Sequence, residues 1–427
     1  MATKNVGCSE YNHLTRRSFL RSSALMGGAA ITAPAWLPKV ALASSYGSNR
    51  DTLVSIYLRG GIDGMTMCCP FADDRYYELR PQTGVPRPDS SLPRKAIDLD
   101  GFFGFAPGMS GLLEAYTSGN LAVVHACGVN GWTRSHFDAQ RYMEIASPFD
   151  SSLVTGWLGR HLAQTPSADP NSIIRGMSLT YGMVRTMSGA PLSLAVPYPE
   201  NYGLGGDWPN EAELRQWLDV AYDRQDDPMK SAAENTQQTI DLLEQINFEQ
   251  YVPAGGAVYP ETEFGRALKS TAALIKSDIG VEAIHIDKDG WDTHANQGSV
   301  GGQMDELMTD LADALGAFHK DMFSSNRSDF SLVALSEFGR TAQQNNSQGT
   351  DHGTATAVLV MGGSVIGNRV IRNWPGLAPE QLYEGVDLAP TIDFRDVVGE
   401  ILAKRCGNTN LSGIFPGYTP QFRGIFA

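Results

Sequence analysis

Short, uniformly apolar runs separated by long polar or glycine-rich connections set the rhythm of this chain. Thr52–Leu58, Leu121–Ala126, Val281–Ile286, Phe330–Leu335 and Ala357–Met361 are brief and rich in branched side chains, and each is stopped by polar or glycine residues. Such runs predict strands buried on both faces rather than helices. Gly176–Thr180 and Leu192–Val196 are weaker pieces of the same kind. Between them the period changes. From Gln303 to Phe323, Met304, Leu307, Met308, Leu311, Leu315, Phe318 and Met322 keep one helical face, while Asp305, Glu306, Asp310, Asp313 and Lys320 take the other. Shorter helical patterns cover Met109–Tyr116 and Ala139–Ile145, another starts at Gly156–His161, and a last one runs to Lys404. Residues 211–278 read as mostly helical, broken near Asp227-Pro228 and Pro253–Gly256. That stretch predicts an insertion over the sheet, with Trp217 and Tyr222 in its core. Strands alternating with helices predict an α/β domain, its five main strands in one sheet with their carboxyl ends on one edge.

That edge is where the chemistry-bearing residues gather, because ligands of open α/β sheets collect beyond the carboxyl ends of strands. Asp63 follows the first run within Arg59-Gly60-Gly61-Ile62-Asp63-Gly64, whose glycines are not spaced as a dinucleotide-binding fingerprint. Asp292-Thr293-His294 follows the third run, and an Asp-x-His pair can give a divalent ion one oxygen and one nitrogen. Glu337 follows the fourth run, and Asp351-His352 ends the loop before the fifth. Ser135 stands at or near a helix start, where free N–H groups favour an anion; capping that helix is the commoner duty of such a serine. Arg134 and Arg340 are candidates to clamp a nonbridging oxygen. His125 and His319 read as core residues.

Composition narrows the classes. A net charge of −14 argues against a general nucleic-acid binder. Arg16-Arg17-Ser18-Phe19-Leu20, a weakly apolar run from Ser22 to Ala35 and a small-x-small site at Ala41-Leu42-Ala43 resemble a twin-arginine export signal. Residues 1–43 are thus expected to be removed, delivering the chain to the periplasm or beyond it, through the twin-arginine export machinery. Without those residues the net charge is −18. No later stretch is apolar for long enough to predict a stable membrane span. Cys68, Cys69, Cys127 and Cys406 remain, with no zinc-type spacing, so one disulfide or buried thiols are expected.

The ordered series Leu-Arg-Gly-Gly-x-Asp-Gly, Arg-Ser-His-Phe-Asp-Ala-Gln, Gly-Trp-Leu-Gly-Arg, Asp-Thr-His-x-x-Gln, Ser-Glu-Phe-Gly-Arg-Thr, Thr-Asp-His-Gly and Asp-Leu-Ala-Pro-Thr-x-Asp-Phe-Arg resembles the exported bacterial family called domain of unknown function 1501. That family is similar to the alkaline phosphatase/sulfatase superfamily. The resemblance implies a three-layer α/β/α fold with a central, mostly parallel sheet, forming one domain over residues 44–427 with a mainly helical insertion around 200–278. It implies one or two divalent ions (zinc, manganese or magnesium) and hydrolysis of a small phosphate or sulfate ester. Ser135 would be the nucleophile, assisted by Arg134 or Arg340. Asp63, Asp292, His294, Glu337 and His352 would hold the metal. In a second alignment Asp351-His352 supplies the Asp-His pair in place of Glu337-Phe338. Phe338 cannot bind metal, which puts one of the two ion sites in doubt. A catalytically inactive binding or assembly protein on the same fold is the alternative.

Overall fold

The computed structural model describes residues 50–427 apart from 130, 132, 149, 151, 205–209, 226 and 228. The export signal therefore lies outside the described residues. Nine strands form one sheet: β1 (Thr52–Leu58), β5 (Leu121–Gly128), β6 (Gly176–Ser178), β7 (Ser193–Ala195), β8 (Ala283–Lys288), β9 (Phe330–Leu335), β10 (Thr356–Gly362), β11 (Arg369–Ile371) and β12 (Ile392–Asp393). Their order is β11-β5-β10-β9-β1-β8-β6-β7, with β12 beside β5. A separate three-stranded sheet, β2 (Cys68–Cys69), β3 (Ile97–Asp98) and β4 (Gly104–Phe105), is built from the connection between β1 and β5.

The apolar runs become strands because alternate side chains feed two cores on opposite faces. On one face Val54, Ile56, Ile284, Ile286, Leu332 and Leu359 pack with Leu268 of the helix Glu263–Lys276 and with Met308, Leu311 and Leu315 of the helix Gln303–Ser324. On the other, Leu53, Tyr57, Ala283, Val333 and Val358 pack with Trp157 and Leu158 of the helix Trp157–Gln164 and with Val397, Val398 and Ile401 of the helix Phe394–Lys404. The fold is a three-layer α/β/α sandwich. Each such aliphatic side chain contributes about 1.5–3 kcal/mol of burial, so the sheet is the stable platform for its loops.

One expectation is corrected. β1, β5, β8 and β9 share a direction, but β10 runs antiparallel to both of its neighbours, β5 and β9. Its amino end, not its carboxyl end, lies at the functional edge. The connection from Ser336 to Ala355 therefore leaves that edge and returns to it, placing His352 beside the exits of β1, β8 and β9. The helices Glu211–Tyr222 and Met229–Glu244 pack on each other at the surface, and Trp217 is 69% exposed rather than in a core. Cys68, Cys69, Cys127 and Cys406 are buried free thiols. His125 is buried against the Cys68 carbonyl, and His319 bonds Asn120, both as core residues. No helix among the described residues is long and apolar enough to cross a membrane.

Candidate metal centre

Three histidines meet one aspartate where β1, β8, β9 and β10 open onto the sheet edge. Asp292 and His294 stand on the loop after β8, and His352 on the loop before β10. His136 begins the helix His136–Ile145, which starts three residues before the predicted Ala139. The Nε2 atoms of His294, His352 and His136 lie 2.9, 3.1 and 3.4 Å from Oδ1 of Asp292. Those of His294 and His352 are 2.9 Å apart. One ligand atom from each of His136, Asp292 and His352 falls within 4.8 Å of the others, as a shared metal ion would need.

The opposite nitrogen of every ring is fixed. Nδ1–H of His136 donates to Glu337 at 2.9 Å, that of His294 to Asp351 at 3.0 Å, and that of His352 to the Arg134 carbonyl at 2.8 Å. Acceptors on Nδ1 leave each Nε2 directed at Asp292, where an ion could take the place of the proton, and make each ring a better ligand. Asp292 is oriented in the same way. The buried Arg340 donates to Oδ1 at 2.7 Å and spends its other N–H groups on the carbonyls of Gly60, Gly61, Trp291 and Thr350. Gly60 adopts φ +118°, and a Cβ there would stand 2.7 Å from the Asp292 nitrogen, so this turn requires glycine.

The electrostatics follow. Burial disfavours charge on Asp292, but hydrogen bonds from His136, His294 and His352 and the Arg340 charge outweigh it and hold the carboxyl far below the usual range. Burial likewise opposes a proton on His136, yet its bonds to Asp292 and Glu337 win and push the imidazole up to about 9. His294 is raised, chiefly by its bond to Asp292. Glu337 is lowered, its burial being outweighed by the bond and charge of His136. A divalent ion fits this donor set. Asp292 Oδ1 faces three imidazoles and a guanidinium, while its buried Oδ2 has no hydrogen-bond partner among the described residues. Three inward nitrogens and one carboxylate, without thiolate, match the preferences of zinc or manganese.

The expected site residues divide accordingly. Asp292, His294 and His352 meet. Glu337 and Asp351 stand one layer out, as acceptors for His136 and His294. Asp63 is not in the group: buried, it accepts from Arg80 at 2.6 Å and from Thr66 and Gln297 at 2.7 Å, and is lowered because these partners outweigh its burial. Arg134 is paired with Asp387 and Glu384, and Arg340 with Asp292 and four carbonyls, so both guanidiniums are spent on the protein. Ser135 occupies the N-cap of His136–Ile145, but its hydroxyl makes no capping bond. Phe338 packs its ring 4.9 Å from the rings of both His136 and His352 and walls the centre. His136 escapes the sequence reading. The one available signal is its place beside Ser135, since a single step at a helix start turns a side chain by ~100°.

Solved structures similar to the chain include Ps i-CgsB in complex with k-i-k-neocarrahexaose, at 10% identity over 86% of this chain and 74% of that one, with a TM-score of 0.37. Alkaline phosphatase from the Antarctic bacterium TAB5 matches at 10% identity over 73% and 92%, TM-score 0.26. The phosphonate monoester hydrolase of Agrobacterium radiobacter matches at 10% over 87% and 79%, TM-score 0.28. Likeness this slight transfers no chemistry. No curated protein matches the chain significantly. The family model described as protein of unknown function (DUF1501) matches residues 50–413, and the chain belongs to that family.

Proposed function

We propose that the protein is a metal-dependent hydrolase of phosphate or sulfate esters, acting after export to the periplasm. One observation carries the reading: three histidines, each tied at Nδ1 to an acceptor, aim Nε2 at a single carboxylate oxygen. His136, His294, His352 and Asp292 would hold one divalent ion. When bound, such an ion supplies Lewis-acid stabilisation of charge on the transferring group. Glu337 and Asp351 keep the rings basic, Arg340 fixes Asp292, and Phe338 excludes water from one side. Asp351 is 60% and His294 29% exposed, which leaves that side of the centre open to a substrate. Ser135, next to His136 and free of capping duty, is the candidate nucleophile. The test is metal analysis of the natively exported protein together with hydrolysis of p-nitrophenyl phosphate and p-nitrophenyl sulfate. Stoichiometric metal, turnover of one ester and loss of both in Asp292→Asn are expected. Metal-free protein that gains no activity on reconstitution overturns the reading.

A second reading has its own support. With Arg134 and Arg340 both paired inside the protein, no clamp for the ester's oxygens stands out, which favours a metal-holding binding protein without turnover. Tight metal binding with no hydrolysis of either ester selects it. Four buried thiols suit a chain that folds before meeting an oxidising compartment, as the twin-arginine route requires.

A further inference from the structure

The segment that opens Asp-Leu-Ala-Pro-Thr supplies no donor to the centre, yet its first residue is a fully buried carboxylate. We propose that Asp387 is the positioning residue that locks His136 and His352 into one site; this rests on the metal-centre reading above. A single oxygen, Oδ2, holds both segments. It accepts from Nε and Nη2 of Arg134 at 3.1 and 2.7 Å, two residues before His136. It also accepts from the Thr354 hydroxyl at 2.7 Å, two residues after His352. The segments are then joined directly, because the Arg134 carbonyl takes the Nδ1–H of His352. Arg134 is thus anchored at its side chain and serves at its backbone. Freeing the guanidinium releases both the start of the helix that carries His136 and the acceptor that sets the tautomer of His352.

Asp387 is itself rigidly mounted. Its N–H and carbonyl pair with those of Tyr383 at 3.0 and 2.9 Å, and the neighbouring Val386 carbonyl accepts from Ala342 at 3.0 Å, on the loop after β9. The Tyr383 hydroxyl adds a second tie to the His136 segment by accepting from the Gly131 N–H at 3.1 Å. A few residues on, β12 pairs with Cys127 and Gly128 at the end of β5, where the chain departs toward His136. Asp387 therefore fastens two loops remote in sequence to one strand end of the sheet. A carboxylate is required: it is the charge partner of Arg134 and accepts from Thr354 at the same atom.

The experiment uses the protein as exported, stripped with a chelator and titrated with Co²⁺, whose visible ligand-field bands report the coordination directly. Wild type should bind one Co²⁺ with a defined spectrum. Asp387→Asn should lose about 10–100-fold in Co²⁺ affinity, the usual cost of removing an outer-shell partner, with shifted bands. Thr354→Val should give a smaller loss, and Asp387→Glu should restore part of it. Glu384→Gln, which removes only the exposed arm of Arg134, should leave affinity and spectrum unchanged. If Asp387→Asn does not fold, as judged by near-ultraviolet circular dichroism, Thr354→Val and Asp387→Glu carry the comparison. Wild type that binds no Co²⁺ overturns the metal reading and the inference with it. Wild type that binds, with folded variants matching it in affinity and spectrum, overturns the inference alone.

Discussion

Arg340 lies 2.7 Å from Asp292, the guanidinium fully buried and the carboxylate nearly so. The guanidinium also gathers carbonyls from the Gly60-Gly61 turn, from Trp291 and from Thr350, so one side chain ties together the exits of β1 and β8 and the loop that leads to His352. Removing one partner of a buried ion pair typically costs about 3–5 kcal/mol, because the other charge is stranded. Arg340→Met is expected to lose stability of that order in a chemical denaturation series and to lose metal affinity with it. Arg340→Lys should fare little better, since an ammonium cannot reach several carbonyls in a fork. A near-wild-type midpoint for Arg340→Met would show that the pair is dispensable.

His136 gives the metal-free protein a distinctive pH dependence. Its pKa rises from 6.5 to about 9 in the fold, burial being outweighed by bonds to Asp292 and Glu337. A raised pKa means that the native state binds the proton more tightly than the unfolded chain. The stabilisation is complete below the unfolded value of 6.5 and is lost as pH climbs through about 9. A shift of that size corresponds to about 3 kcal/mol at most. Chelated protein should therefore weaken between those limits in urea titrations, and His136→Gln should flatten the profile. A flat profile in the unmutated, metal-free chain would contradict the assignment. Metal should also flatten it, by replacing the proton.

Ser135 separates structure from chemistry. A serine that caps a helix costs ~1 kcal/mol when changed to alanine, but this hydroxyl makes no such bond. Ser135→Ala is expected to leave stability and metal content within error while removing hydrolysis by a factor of 10² or more, on the order reported for loss of groups acting at the transition state. Retained turnover with the same metal content would rule out Ser135 as nucleophile and point to metal-bound water instead.

Export is tested at the other end of the chain. Changing Arg16 and Arg17 to lysine preserves charge but not the pair that the twin-arginine pathway reads. The double variant is expected to remain in the cytoplasm, while the unchanged chain appears outside it with an amino terminus near Ser44. Fractionation with amino-terminal sequencing decides this, and undiminished export of the variant would remove the pathway from the proposal.

The apolar runs needed no tertiary information to be recognised as strands, because apolar composition, branching and length are local properties of the chain. So were the amphipathic helix Gln303–Ser324 and the turns that place Asp292, His294 and Glu337 just beyond strand ends. The direction of β10 was not legible: a uniformly apolar run reads the same whichever way it is laid in a sheet. Nor was the fate of Asp63, whose partner Arg80 comes from an excursion with no periodic signal. Trp217 keeps a helical spacing but faces water, since periodicity marks a shared face without saying whether anything covers it. The sequence placed Ser135 at or near a helix start, but the helix begins at His136, three residues before the predicted Ala139, and only its first turn decided which of two adjacent side chains meets Asp292. Residue types and strand ends are written along the chain; which charges neutralise one another is a matter of distances between remote segments, as between His136 and Glu337, 201 residues apart, and those distances exist only once the sheet has formed.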